Sequence, residues 1–149
     1  MITLLFTTSY HPLSAVIRAT TWSRWSHVAL VDGNTVIEAA APGGVAQRTL
    51  ADAIQHARDY ELVQLPCRNP IKVLQAASSQ IGKRYDYSAI VGLWLHRDWQ
   101  DERRWFCSEL IAWAFQEAGE PLFRPDAARR ITPQHLYLLP PVSEALATQ

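Results

Sequence analysis

At 149 residues, nearly half of them hydrophobic and six of them tryptophan, the chain can bury a core as one domain and is too apolar for a disordered tail or linker. Lysine plus arginine balance aspartate plus glutamate at 14 each, which removes any general attraction to nucleic acid or to an anionic membrane surface. Only two cysteines are present, Cys67 and Cys107, in no paired metal-ligand spacing, and no stretch approaches the roughly 20 apolar residues of a membrane span, so neither a zinc site nor a transmembrane segment is expected.

Met1 to Tyr10 lacks the basic start and small-residue cleavage site of a signal peptide, so the chain reads as cytoplasmic. Delivery by a phage or a secretion particle would leave no mark in such a sequence. Ile2 to Thr7 reads as a first strand, and Pro12 to Thr20 as a helix with Leu13, Val16 and Ile17 on one side. Ser26 to Val31 is apolar and β-branched, Asp32-Gly33-Asn34 turns the chain, and Thr35 to Ala39 returns, which is the strongest hairpin signal present.

The register of that hairpin carries information, because side chains on one strand face recur with period two. With Asp32 and Gly33 central in the turn, His27 lies directly opposite Glu38. With Gly33 and Asn34 central, Ala29 opposes Glu38 and His27 becomes its diagonal neighbour on the same face. Either two-residue turn sets His27 beside Glu38, whereas a three-residue loop would separate them.

Ala41 to Gly44 reads as a loop, Leu50 to Arg58 as a short helix, and Tyr60 to Leu65 as a strand stopped by Pro66. Asn69-Pro70 is a cap followed by proline at the first helical position, opening a helix through Val73, Leu74, Ala77 and Ile81 that closes at Gly82. Lys83 to Tyr87 leads into a second apolar segment, Ser88 to Leu95, and His96 to Arg104 is a highly charged loop. Cys107, Leu110, Ile111, Ala114 and Ala118 then form one helical stripe ending at Gly119. The tail carries Pro121, Pro125, Arg129-Arg130, and Thr132-Pro133 as cap and first turn of a last helix.

Cys107 heads its helix, where unpaired N–H groups and the helix dipole favour an anion and should draw a thiol pKa toward neutrality. From that stretch alone two readings stay open, a small apolar core residue or a nucleophile. A cysteine hydrolase needs an imidazole within reach of the thiol and a third group orienting the ring. Of the five histidines only His27 lies in a strand with a carboxylate, Glu38, expected beside it on the same face. Cys67 has no such support and reads as structural. Trp22, Trp25, Trp94, Trp99 and Trp105 either wall a substrate groove or pack the core.

Ser26-His27-Val28-Ala29-Leu30-Val31, Val36-Ile37-Glu38-Ala39 with Gly44-Val45, Gly82-Lys83-Arg84-Tyr85-Asp86-Tyr87, and Phe106-Cys107-Ser108-Glu109-Leu110 together resemble the circularly permuted branch of the NlpC/P60 superfamily. These are papain-like cysteine amidases and peptidases of the YiiX and YebB type, distantly similar to the lecithin:retinol acyltransferase group. In the unpermuted enzymes the cysteine helix precedes the histidine strand, whereas here His27 comes first, and the likeness runs from about Thr20 to Gly119.

The resemblance implies a single α+β domain, residues 1–149, of permuted papain-like fold, with a small antiparallel sheet packed against helices. It implies Cys107 as nucleophile, His27 as general base and then general acid, and Glu38 as the orienting residue. Tyr85 would line the oxyanion site beside the Cys107 backbone N–H, and neither metal nor cofactor would be needed. The implied substrate is a peptide of peptidoglycan type. A thioesterase or acyltransferase acting on lipid-like acyl groups, and a non-catalytic module of a phage or secretion particle, are the alternatives.

Overall fold

The structure, a computed structural model, describes residues 1–85, 104–124 and 131–139, with only the backbone described at residues 85, 104 and 105. The expectations for the 88–95 segment, most of the charged 96–104 stretch, Trp94, Trp99, Pro125 and Arg129-Arg130 fall outside the described residues, as do the side chains of Tyr85 and Trp105.

The strand-like first residues form β1 (Ile2–Thr8), which ends before helix α1 (Pro12–Thr21). The hairpin follows as β2 (His27–Asp32) and β3 (Thr35–Ala40). Next come β4 (Gly44–Thr49), α2 (Leu50–Gln55), β5 (Asp59–Leu65) and α3 (Pro70–Ser78). The remaining elements among the described residues are the two-residue strands β6 (Arg84–Tyr85) and β7 (Arg104–Trp105), then α4 (Cys107–Glu117) and α5 (Pro133–Tyr137). The main sheet runs β4-β3-β2-β1-β5 and every neighbouring pair in it is antiparallel. The expected small antiparallel sheet with packed helices is what the chain forms.

Alternation along the strands divides the core in two. Leu4 and Phe6 of β1, Val28 and Leu30 of β2, and Ile37 and Ala39 of β3 share one cluster with Val73 and Ala77 of α3 and with the α4 stripe. Leu5, Ala29 and Val36, which alternate with them, pack instead with Ala53 of α2. Every member of the α4 stripe is buried, and so are Ser108, Glu109, Ala112 and Phe115, so the helix is enclosed nearly all round. Gly119, at φ +79, ends it in the left-handed conformation that glycine adopts without strain. Tyr137 meets Phe6 and Trp25 in edge-on ring contacts that dock α5, whereas Trp22 is exposed.

Four local expectations need correction. The Ala41–Gly44 loop ends one residue early, because Gly44 opens a strand the hydrophobic pattern did not signal. In β4 only Gly44 and Val45 are buried, and a polar edge strand has no alternating apolar face to betray it. The helix expected to run from Pro70 to Gly82 stops at Ser78, since the backbone around Gly82 and Lys83 is claimed by β4: Gly82 N donates to Val45 O and Val45 N to Lys83 O. Asn69 sits at the cap position of α3 but its side chain caps nothing. Glu120, 51 residues on, accepts from the backbone N–H groups of both Arg68 and Asn69 at 2.7 Å, so a carboxylate anchors the two residues that lead into the helix. The helix expected over Leu50 to Arg58 is likewise shorter, capped by the Thr49 hydroxyl on Asp52 N and ended before β5 begins.

Candidate active site

The hairpin closes on Gly33 and Asn34, pairing Asp32 with Thr35, Val31 with Val36 and Leu30 with Ile37. Gly33 alone of the two central residues has a positive φ, the pattern of a type II′ turn. Continuing this register sets Ala29 opposite Glu38 and makes His27 its diagonal neighbour, the second of the two arrangements open from sequence. The long glutamate side chain spans the diagonal: His27 Nε2 lies 2.5 Å from Glu38 Oε2.

His27 is the first residue of β2 and so sits at the end of the sheet, where its ring meets more than one element. Its strand is pinned there by Ser26, whose N–H donates to Thr7 O at 3.1 Å and whose hydroxyl accepts from Ser14 of α1 at 2.6 Å. Arg18 of α1 reaches Thr8, Ser9 O and Ser14, so a polar network holds the strand end to that helix. With Nε2 committed to Glu38, Nδ1 is the ring nitrogen left for a second partner, and the Cys107 thiol at the head of α4 lies close enough to the ring to help raise it.

Cys107 is 1 % exposed, and the helix it heads begins at Phe106 with no side-chain cap. The first-turn N–H groups of an α-helix have no intrahelical acceptor, so they point at the space beside Sγ and favour negative charge there. Beside Cys107, the Ser108 hydroxyl donates to Ile131 O and ties the helix head to the segment leading into α5.

Glu38 is only 4 % exposed, and its second oxygen is not idle. Arg48 of β4 brings Nε to 2.5 Å from Oε1, so the carboxylate is held between an imidazole and a guanidinium. Arg48 comes from the strand that the sequence pattern missed; the only signal was a buried carboxylate in an apolar strand, which demands a cationic partner without saying where it lies. Burial pushes the Glu38 carboxyl upward, but the His27 charge and then Arg48 outweigh this and hold it below the ordinary carboxylate range. Burial works against the charged form of His27 as well. The Glu38 carboxylate first, and then the interaction with Cys107, overcome it, and the imidazole is pushed up to about 10.

The structure thus brings Cys107, His27 and Glu38 together. The backbone of Tyr85 pairs in parallel with Trp105, two residues before Cys107, and its side chain lies outside the described residues. Cys67 stands apart and half-buried, its thiol raised first by burial. Of the other histidines, His11 caps α1, His56 ends α2, and His135 completes the capping box of α5 with Thr132. Among the described residues no group of three or more His, Cys, Asp or Glu could hold a metal ion, and no helix is long and apolar enough to cross a membrane.

A family model described as permuted papain-like amidase enzyme, YaeF/YiiX, C92 family, matches residues 3–130. Among solved structures, the crystal structure of the metalloprotein yiiX (DUF1105) from Escherichia coli O157:H7 is similar, with a TM-score of 0.73 over 95% of each chain at 21% sequence identity. At that identity the likeness speaks for the fold. Comparison with curated proteins gives no match.

Proposed function

The chain belongs to the C92 family of permuted papain-like amidases, and from that premise we propose that it is a cysteine hydrolase in which Cys107 attacks an amide carbonyl of a peptide substrate. The observation that carries the assignment is the chain of contacts from Cys107 to the His27 ring and from that ring to Glu38, in the order a nucleophile, an acid–base group and an orienting group require. With the imidazole raised to about 10, the ring is charged at neutral pH, and the thiolate is the form of Cys107 that reacts beside it.

Sγ then adds to the carbonyl carbon, and the oxygen takes up the negative charge against the uncapped N–H groups at the head of α4. His27 gives its proton to the leaving amine as the C–N bond breaks and a thioester forms. The same ring, now neutral, takes a proton from water as hydroxide oxygen attacks the thioester, releasing the acid and restoring the pair. Glu38 holds Nε2 through both steps and keeps Nδ1 turned to the thiol. Peptidoglycan-type peptides are the substrate class we assign.

A thiol-directed chloroacetamide probe tests this directly. It should label Cys107 much faster than Cys67, and His27→Ala should suppress that labelling. Equal rates at the two cysteines would overturn the hydrolase reading. Incubation with stem peptides and, separately, with short acyl esters tests the substrate, since turnover of esters alone would replace amide by ester chemistry.

A further inference from the structure

A cleft of about 520 Å³ opens at the same end of the sheet, between the start of α1 and the end of α2, with His27 and Arg48 in its wall. Apolar side chains such as Ile17 and Ala53 line part of it, His11 and His56 also border it, and among the described residues that line it none is acidic. A concavity with an apolar lining, one guanidinium and three imidazoles has an evident electrostatic preference.

The hydrogen bonds of these groups sharpen that preference. Arg48 spends Nε on Glu38, which leaves the two Nη groups of its planar fork, the geometry that matches carboxylate and phosphate. Nδ1 of His11 accepts from Leu13 N at 3.2 Å, so the proton of that ring is on Nε2, a donor. Nδ1 of His56 lies 3.1 Å from the Asp52 carbonyl oxygen, which can only accept, so Nδ1 carries the proton and Nε2 becomes a donor once the ring is charged. A ligand that takes both Nη groups of Arg48 and the Nε2 proton of His11, in a wall whose described residues include no carboxylate, is best matched by an oxyanion.

We propose that this cleft is a binding subsite for an oxyanion, carboxylate or phosphate, carried on a short apolar part of the substrate and recognised by Arg48, His11 and His56. As a substrate subsite it rests on the reading of Cys107 and His27 as the reacting pair. Because Arg48 also grips Glu38, and His27 faces both the cleft and Cys107, an occupant would be sensed at the reacting groups.

The test uses the intact protein at about pH 6, where an ordinary imidazole is partly charged. Its histidine Cε1–H resonances are followed by NMR during titration with sodium acetate and, in a second series, sodium phosphate, at constant ionic strength. The expected result is a saturable shift of His11, His27 and His56 with at least one anion while His135 stays still. A response confined to acetate identifies a carboxylate, and one confined to phosphate a phosphate. In the double variant His11→Asn, His56→Gln, where asparagine keeps the α1 cap, binding should weaken about tenfold. No saturable shift with either anion, or His135 moving in step with the others, would overturn the subsite. The iodoacetamide rate at Cys107 is recorded in the same samples. Fast labelling without histidine shifts removes the subsite alone. Shifts with Cys107 no faster than Cys67 remove the hydrolase reading, and with it the substrate role of the cleft.

Discussion

Arg48 Nε lies 2.5 Å from Glu38 Oε1, on the side of the carboxylate away from the oxygen that holds His27. A carboxylate with one cation could rotate about its end; one held at both oxygens has a fixed plane, and the imidazole it orients inherits that restriction. In the proposed mechanism Arg48 is therefore a positioning residue that acts on Cys107 through two intermediaries.

Arg48→Gln should raise the Glu38 carboxyl toward its ordinary value, because one of the two charges holding it down is gone. A lowered carboxylate keeps its partner interactions above its unfolded value and loses them as pH falls through the folded one, so the acid limb of the Cys107 labelling profile should move to higher pH. Arg48→Lys should restore much of the wild-type position by returning the charge without the fork. An acid limb that stays in place in Arg48→Gln would show that Arg48 has no hold on the site.

His27 makes a prediction at the other end of the scale. Its folded value, about 10, stands above the ordinary imidazole value of 6.5, so the charged ring contributes stability that is fully present below pH 6.5 and lost as pH rises through about 10. Urea midpoints of the wild type and of His27→Gln, measured from pH 6 to pH 10.5, should converge across that window. Parallel curves would mean that the ring is not held charged in the folded protein. Loss of the proton needed by the leaving amine should also close the alkaline side of the activity profile in the same range.

How far the sequence led can be judged from these residues. The His27–Glu38 proximity was legible because a two-residue turn leaves only two registers and both bring the pair together. The α4 stripe was legible because a buried helix writes its face in steps of three and four. Arg48 was not, since β4 is a polar edge strand whose pairing with β3 is set by backbone geometry rather than by an apolar pattern. The anchoring of the lead-in to α3 by Glu120 was hidden for a related reason: Asn69-Pro70 marks where a helix starts, but nothing local tells which distant carboxylate will meet the N–H groups just ahead of it.

Gly44 tests whether β4 is held where the site needs it. At φ +80 it occupies backbone space that side chains rarely enter, and a Cβ there would stand 2.0 Å from the Lys83 carbonyl oxygen. The obstacle is backbone, and it belongs to the connection leading into β6, so it has little freedom to yield. Gly44→Ala should cost about 2–3 kcal/mol of stability by combining left-handed strain with displacement of Lys83. Thermal denaturation measures the loss. Gly33→Ala is the internal control, having positive φ but open space around the same position, and it should cost less.

Ser108 separates support of the site from its chemistry. It is fully buried, and its hydroxyl donates to Ile131 O, joining the residue after Cys107 to the lead-in of α5. Ser108→Ala leaves a carbonyl without that donor in a place water does not readily reach, at a cost of about 1–3 kcal/mol, or roughly 2–10 °C in Tm for a chain of this size. Neither the Cys107–His27 contact nor the His27–Glu38 contact involves this hydroxyl. The labelling rate of the folded variant at 20 °C should therefore stay within about threefold of wild type while the melting point falls. A collapse of labelling with an unchanged melting point would place Ser108 among the groups that touch the reacting atoms and would require the head of α4 to be reinterpreted.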